Sequence, residues 1–320
     1  MKKAGRPGTH SRFARGMRDG YHEVSDKGIN WIKSMISCRE ETTLLNLWEI
    51  FVAIVLGIVE GLTEFAPISS TGHMIIVDDL LFRSKELFSP PVANTFKVVI
   101  QLGSIMAVVV VFKDRFLNLL GLKKNITVDQ RLGDRLKLGQ IIVGLLPFGV
   151  LGLIFEDVID TYLFSVQTVM IGLMGGAVLM IAADGFRPKR PTTETVDQMS
   201  YKQALYMGLF QCFALCPGFS RMGSTLSGGV LLGMSHRAAS DFSFMMAVPV
   251  MMGASAVSLL KNWEYMTAGA LPFFIAGFMS AFLFALVSIR FFLRIIQRVK
   301  LVPFAIYRIL LAALIWLLYF

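Results

Sequence analysis

Residues Gly57–Gly72 read GIVEGLTEFAPISSTG, and 151 positions further on Gly208–Gly223 read GLFQCFALCPGFSRMG. At that offset Gly57 aligns with Gly208, Glu60 with Gln211, Ser69 with Ser220 and Gly72 with Gly223. Each stretch starts apolar, is broken in its middle by proline, glycine or serine, and leads through a polar-to-apolar segment into a long apolar window. A proline lacks the amide that a helix needs and its ring crowds the preceding turn, so neither stretch reads as one continuous helix. Backbone that leaves the helix at membrane depth is tolerated only where protein or a wet cavity surrounds it. The two regions, roughly 44–91 and 203–241, therefore read as two re-entrant broken-helix pairs, and the cavity where they meet is the expected site of chemistry.

Six apolar windows outside these regions are long enough to cross a bilayer: Val92–Phe112, Leu138–Phe155, Leu163–Ala183, Phe242–Leu260, Thr267–Ile289 and Leu301–Phe320. A span takes about 20 residues at a rise of about 1.5 Å each. Lys97 interrupts the first window early, and Arg308 in the last is tolerable only if it faces protein or snorkels. The connecting loops give an orientation. Lys113–Lys137 carries seven basic and three acidic residues, Asp184–Lys202 four and three, and Arg290–Lys300 four and none. Between them, Asp157–Tyr162 has two acids and no base, and Lys261–Met266 is neutral. Basic loops belong on the cytoplasmic side, which puts the acidic loop and the C-terminus outside. The first broken stretch then enters from outside and the second from inside, as an inverted repeat would require. The expected fold is all-α and polytopic: six transmembrane helices plus two re-entrant pairs, with repeat 1 at about 44–183 and repeat 2 at about 203–320.

Composition agrees. Of 320 residues, 55% are hydrophobic and 17% charged, and the mean hydropathy is +0.63. A soluble globule of this length carries roughly 25% charge to wet its surface. Disorder, a fibrous fold and a small disulfide scaffold are excluded. The net charge of +9 implies no nucleic-acid partner, because no folded basic surface is left to build a groove, and basic loops beside spans explain it. Residues 1–43 supply +4 of it as a polar tail rich in Gly, Ser and Arg, with no apolar run of a signal peptide. Met35 stands just ahead of the apolar body as an alternative start, and nothing in residues 1–34 looks catalytic. Cys38, Cys212 and Cys216 cannot form a paired framework, and the last two read as packing residues on a helix.

The scarce polar residues gather in the broken stretches. Glu60 and Glu64 are four apart, so both carboxylates share one helix face. At membrane depth such a pair is costly unless it is ion-paired, faces water or binds a cation; a hard divalent ion fits best, since it wants several oxygens and bridges phosphates. Ser69, Ser70, Thr71 and Gly72 follow, either as a plain helix cap or as amides and hydroxyls that cradle phosphate. His73 is a packing histidine or, beside two glutamates and a hydroxyl cluster, a nucleophile or acid–base group. The second stretch offers Pro217, Gly218, Ser220, Arg221, Ser224 and Thr225. The guanidinium of Arg221 suits phosphate oxygens; it can equally pair with Glu60 or Glu64, before substrate arrives. This inventory fits phosphoryl transfer to water.

At these stretches the chain resembles the undecaprenyl-diphosphatase family of BacA type, over nearly everything from Leu44 to Phe320. The resemblance rests on EGLTEFAPISSTGH (Glu60–His73) and PGFSRMGST (Pro217–Thr225), with FKVVIQLGSI (Phe96–Ile105), DFSFMMAVP (Asp241–Pro249) and VPFAIYR (Val302–Arg308) in support. It implies hydrolysis of undecaprenyl diphosphate to the monophosphate and phosphate, recycling the lipid carrier of cell-wall synthesis in the bacterial inner membrane. Bacitracin would act by sequestering that substrate and not by binding the protein. The resemblance implies that Glu60 and Glu64 are essential carboxylates associated with Mg²⁺ or Ca²⁺. His73 and Arg221 would be catalytic and phosphate-binding, Ser70 a nucleophile in some proposals, and Ser220 and Thr225 supporting hydroxyls. Met222 departs from the family pattern, which has serine there, and Ser224 stands where alanine is common.

The expected arrangement lays the prenyl tail on apolar helices, with the diphosphate at the junction of the two stretches and the site open to the external face. Ser69, Thr71, Gly72, Ser220, Arg221 and Thr225 would bind its phosphates. Between Ser70 and His73, His73 is favoured as the direct participant, because an isolated serine needs a base and His73 is the nearest in sequence. Partners are the lipid substrate and the surrounding membrane, with a second copy of the chain a candidate. The rival class is a polyprenyl-phosphate flippase, which an inverted repeat with midplane polar residues would serve as well; flipping should survive loss of His73. A purely structural membrane role is the third reading, disfavoured by the buried charges.

Overall fold

The computed structural model describes residues 47–87, 90–122, 136–155, 162–163, 165–265, 270–296 and 300–320. The tail 1–43 with Cys38, most of the basic loop after residue 122 and nearly all of the acidic loop 157–162 lie outside the described residues. The chain divides into a unit of residues 1–49, of which only 47–49 are described, and a unit of residues 50–320. The second unit holds both glycine-led broken stretches and all six apolar windows.

Its described residues are helical, apart from turns and a single isolated bridge between Thr193 and Met234. Helix α1 ends at residue 63 and a turn covers 64–68. Helix α2 (Ser70–Met74) continues as a wider π-helical segment, Ile75–Phe82. Then come α3 (Ser84–Leu87), α4 (Pro90–Val111), α5 (Lys113–Leu119), α6 (Leu138–Ile154) and α7 (Val166–Phe186). The second half runs α8 (Tyr201–Gln211), α9 (Arg221–Leu231), α10 (His236–Lys261), α11 (Leu271–Ile295) and α12 (Val302–Tyr319).

Five of these helices, α4, α7, α10, α11 and α12, are long and apolar enough to cross a membrane, and α6 is a shorter apolar helix of 17 residues. Each of the six apolar windows thus contains one of these helices. Their outward faces carry large apolar side chains, such as Ile171 and Val178 on α7 and Leu310, Leu317 and Leu318 on α12, all at least half exposed. A water-facing helix would put polar residues there; a lipid-facing one would not. The protein is a multi-pass, all-α membrane protein.

The helices cross-brace the two halves. Gly57 and Gly61 on α1 lie against the backbone of α11 at Gly277 and Ala281, so close that a Cβ on either glycine would meet a carbonyl oxygen. Ser280 and Ser288 of α11 then donate to the carbonyls of Ile54 and Leu62 at 2.8 and 2.9 Å. The aligned position of the second stretch behaves alike: Gly208 on α8 lies against the carbonyl of Gly144 on α6. The first broken helix therefore packs on a helix of the C-terminal half, and the second on a helix of the N-terminal half. Small residues at both crossings let backbones approach, which is how helices gain contact without a hydrophobic drive in lipid.

Lys97 and Arg308, the two charges that interrupt the apolar windows, both face protein. Lys97 pairs with the buried Asp78 at 2.7 Å and with Asp79 at 3.3 Å, both on the π-helical segment. Arg308 is fully buried. It donates to the backbone carbonyls of Gly172 (2.9 Å), Leu173 (3.2 Å) and Gly218 (3.0 Å). It thereby ties α12 to α7 and to the turn of the second broken stretch. Gly218 has φ +88° and sits against the Val169 backbone, so that turn accepts only glycine.

Candidate active site

The two broken stretches share a local geometry. After each break the next helix begins at a serine held at positive φ, Ser69 at 72° and Ser220 at 69°, a backbone state that a side-chain-bearing residue rarely adopts. Each serine caps its helix through its own hydroxyl, Ser69 Oγ accepting from the Gly72 amide at 3.4 Å and Ser220 Oγ from the Gly223 amide at 3.2 Å. Strained, non-helical starts of this kind persist only where the surroundings over-determine them, and they cluster at functional sites. The first residue of each helix is then Ser70 or Arg221, and these two meet.

They meet on Glu64. The Ser70 hydroxyl donates to Glu64 Oε2 at 2.6 Å, and Arg221 Nη2 donates to Glu64 Oε1 at 2.9 Å. One carboxylate thus joins the two stretches across 157 positions of sequence. The ion pair foreseen for Arg221 is present, with Glu64 as its partner. The other guanidinium nitrogen, Nη1, is buried with no hydrogen-bond partner among the described residues. Glu60 lies one helical turn back, 5% exposed. Its Oε1 is likewise buried and unpartnered among the described residues, and its carboxyl senses the charges of Glu64, Arg221 and Lys97. Glu60 and Arg221 each keep a buried polar atom without a partner among the described residues, which is costly unless something polar or charged enters.

His73 does not serve Ser70 here. Its Nδ1 bonds the Ser69 carbonyl at 2.7 Å and its Nε2 bonds the Tyr307 hydroxyl at 2.7 Å. Sequence spacing pointed to His73 as the nearest base for the serine; the turn at 64–68 instead folds Glu64 back onto Ser70, six positions on. Of the hydroxyls proposed to touch phosphate, Thr225 is fully buried and donates to the Arg221 carbonyl of its own helix at 2.9 Å, so its proton is already used. Ser224 does the same at 3.0 Å. Ser69 and Ser220 are the caps, and Thr71 is exposed beside them. Gly72 and Gly223 give their amides to those caps, and a Cβ on Gly72 would sit tightly against the side chains of Leu311 and Leu173. Met222 is buried among the apolar core, and Cys212 and Cys216 are free, half-buried thiols.

Sequence reasoning passed over Tyr307 and gave Arg308 no partner. Both fall in VPFAIYR, and an arginine within an apolar window was the available signal. Asp78 and Asp79 were also passed over, although a lysine at membrane depth calls for an acid. Among the described residues no three of His, Cys, Asp or Glu gather as a metal site. The two glutamates and the neighbouring hydroxyls are hard oxygen donors, which suit Mg²⁺ or Ca²⁺ if substrate and water complete the shell.

An all-α membrane protein whose two broken stretches meet through a carboxylate, a serine and an arginine is of a class suited to phosphate ester or anhydride chemistry in a lipid. The family described as bacitracin resistance protein BacA matches residues 53–314. The undecaprenyl-diphosphatase 2 of Bacillus licheniformis is 67% identical over 275 residues, 86% of this chain and all of that protein. The undecaprenyl-diphosphatase of a Geobacillus species is 66% identical over 277 residues, 86% of this chain and all of that protein. That of Bacillus subtilis is 62% identical over 273 residues, covering 85% of this chain and 99% of that one. The chain belongs to the BacA family.

Proposed function

We propose that this protein is an undecaprenyl-diphosphate phosphatase, hydrolysing its substrate to undecaprenyl phosphate and inorganic phosphate. The observation that carries the chemistry is the Ser70–Glu64–Arg221 contact, with a nucleophilic hydroxyl, a base and a cation sharing one carboxylate. The relatives' names supply the substrate. Removing undecaprenyl diphosphate would also remove what bacitracin sequesters, which explains the family's description.

The arrangement favours Ser70 as the attacking oxygen. Its proton passes to Glu64 Oε2 as Oγ bonds the terminal phosphorus, and the anhydride oxygen leaves on undecaprenyl phosphate. Arg221 turns its unused Nη1 to the phosphate oxygens and neutralises the charge that spreads over them. Water then cleaves the phosphoserine: His73 takes the water proton, and Glu64 returns its own to Ser70. Glu60 and Glu64 would hold a divalent cation, Mg²⁺ or Ca²⁺, which would neutralise the diphosphate. Ser69, Thr71 and Ser220 stand at the two helix starts that carry Ser70 and Arg221.

The two stretches are read as re-entrant pairs related as an inverted repeat, within six spans. The shared capping geometry and the exchanged packing of α1 and α8 support that reading. The loop charges support cytoplasmic basic loops and a site open to the external face of the inner membrane.

Rapid quenching with terminally labelled substrate tests the proposal. Wild-type protein should carry label on Ser70, and Ser70→Ala should lose turnover by roughly 10³-fold with no label retained. Near-native turnover in Ser70→Ala, with turnover lost in His73→Gln, would make the histidine the nucleophile. Lipid translocation without phosphate release by the reconstituted wild type would make the protein a flippase.

A further inference from the structure

The two hydrogen bonds of His73 differ in kind. The Ser69 carbonyl can only accept, so the ring must carry its proton on Nδ1. In the neutral ring Nε2 is then a bare acceptor, and the Tyr307 hydroxyl at 2.7 Å must be its donor. The two rings also lie parallel, 10° apart in plane with centroids at 5.6 Å. One ring is thus held at both nitrogens.

The positions of both partners are set from elsewhere. Ser69 presents its carbonyl to His73 while its own backbone is held at φ 72°. Tyr307 precedes Arg308, whose three bonds to backbone carbonyls of α7 and the Gly218 turn fix that turn of α12. The phenol is therefore delivered to the histidine from 234 positions away by a helix that cannot rotate freely.

We propose that Tyr307 positions His73 and passes it the proton. It selects the nitrogen that takes up a proton, Nε2, and keeps that nitrogen bonded in both protonation states. Before proton uptake the phenol donates to Nε2; its proton then passes to Nε2 while its oxygen takes the water proton, and afterwards it accepts from Nε2–H. A hydroxyl serves both states, whereas a carboxylate would favour only the charged one and phenylalanine neither. This rests on the proposed function, in which His73 takes a proton during the reaction.

The test uses the full chain in lipid nanodiscs, with phosphate release from undecaprenyl diphosphate as the assay. Tyr307→Phe keeps the ring and deletes one oxygen. It should lower kcat about tenfold, the lower end of what loss of a group orienting a functional histidine costs, and leave KM unchanged. Tyr307→Phe combined with His73→Gln should be no slower than His73→Gln alone, because the tyrosine acts only through the histidine. A further tenfold loss in the double variant, or a changed KM with unchanged kcat, would overturn the proposal.

Native turnover in His73→Gln would instead overturn the role of His73, a separate outcome. The wild-type protein supplies a readout that no folding defect can blur. Its His73 ring, labelled with nitrogen-15, should show a protonated Nδ1 and a hydrogen-bonded, unprotonated Nε2. The opposite tautomer would refute the assignment.

Discussion

The first broken stretch and the second are built alike and equipped differently. Ser69 and Ser220 hold the same unusual backbone state and cap their helices through the same contact three residues on. Gly57 and Gly208 make the same close backbone crossing, each on a helix of the other half. At the positions that carry chemistry the likeness stops. Glu60 faces Gln211 in the alignment, Ser70 faces Arg221, and His73 faces Ser224. One stretch brings two acids, a serine and a histidine; the other brings the arginine that pairs with one of the acids. The likeness lies in the two helix starts, and the difference makes them complementary, so that the charge of one is buried against the other.

The largest expected effect comes from breaking the contact that joins them. Glu64→Gln replaces the carboxylate that accepts from Ser70 and breaks its ion pair with Arg221, leaving Glu60 as the remaining counter-charge. Turnover should fall by roughly 10³-fold, and the melting of the purified protein should report a loss of about 3 kcal/mol, as for other broken buried pairs. Unchanged melting would mean that the pair on Glu64 does not form in the membrane. Next comes Glu60→Gln, which gives the first stretch the residue that the second already has. Activity should drop by roughly 10²-fold and lose its dependence on added Mg²⁺ or Ca²⁺. Stability should hold or rise, because a buried charge is gone while the shape of the side chain is kept. A variant that still needs the cation would place the ion elsewhere.

Much of this was legible in the sequence because it is local. The apolar windows are helices because a run of some 20 apolar residues allows little else, and their ends shift by only a few positions. The exceptions are α11, which runs on past Ile289 to Ile295, and α10, which starts at His236 and not at Phe242. Its first turns, capped by Ser235, carry the polar His236, Arg237, Ser240 and Asp241, so hydropathy alone cut them off. The carboxylates, Ser70, His73 and Arg221 stood out as polar residues at membrane depth. Which of them touch did not, because Glu64 to Arg221 and His73 to Tyr307 are contacts between distant parts of the chain. Spacing ranked His73 above Glu64 as partner of Ser70, and a five-residue turn reversed the order. The π-helical run at Ile75–Phe82, which turns Asp78 and Asp79 toward Lys97, has no signature that periodicity detects.

Smaller effects should test whether the likeness of the two stretches is energetic as well as geometric. Gly57→Ala and Gly208→Ala each place a methyl group against a carbonyl of the facing helix, at Gly277 and Gly144. Both should cost about 2 kcal/mol, as overpacking at a tight contact does. A loss at one position only would show that the exchanged packing is not equally tight on the two sides.

The finest comparison is at the capping serines, where two terms oppose each other. Ser69→Ala and Ser220→Ala delete the cap and keep a Cβ at positive φ, so each should cost about 1 kcal/mol or slightly more. Ser→Gly at either position also deletes the cap, but it relieves the backbone, since glycine adopts positive φ without penalty. The glycine variants should therefore melt close to wild type, and the gap between alanine and glycine measures the strain held at each helix start. Equal gaps would mean that both stretches store the same strain, as their φ values of 72° and 69° imply. A wider gap at Ser69 would mean that the site draws on strain only where its carbonyl must reach His73.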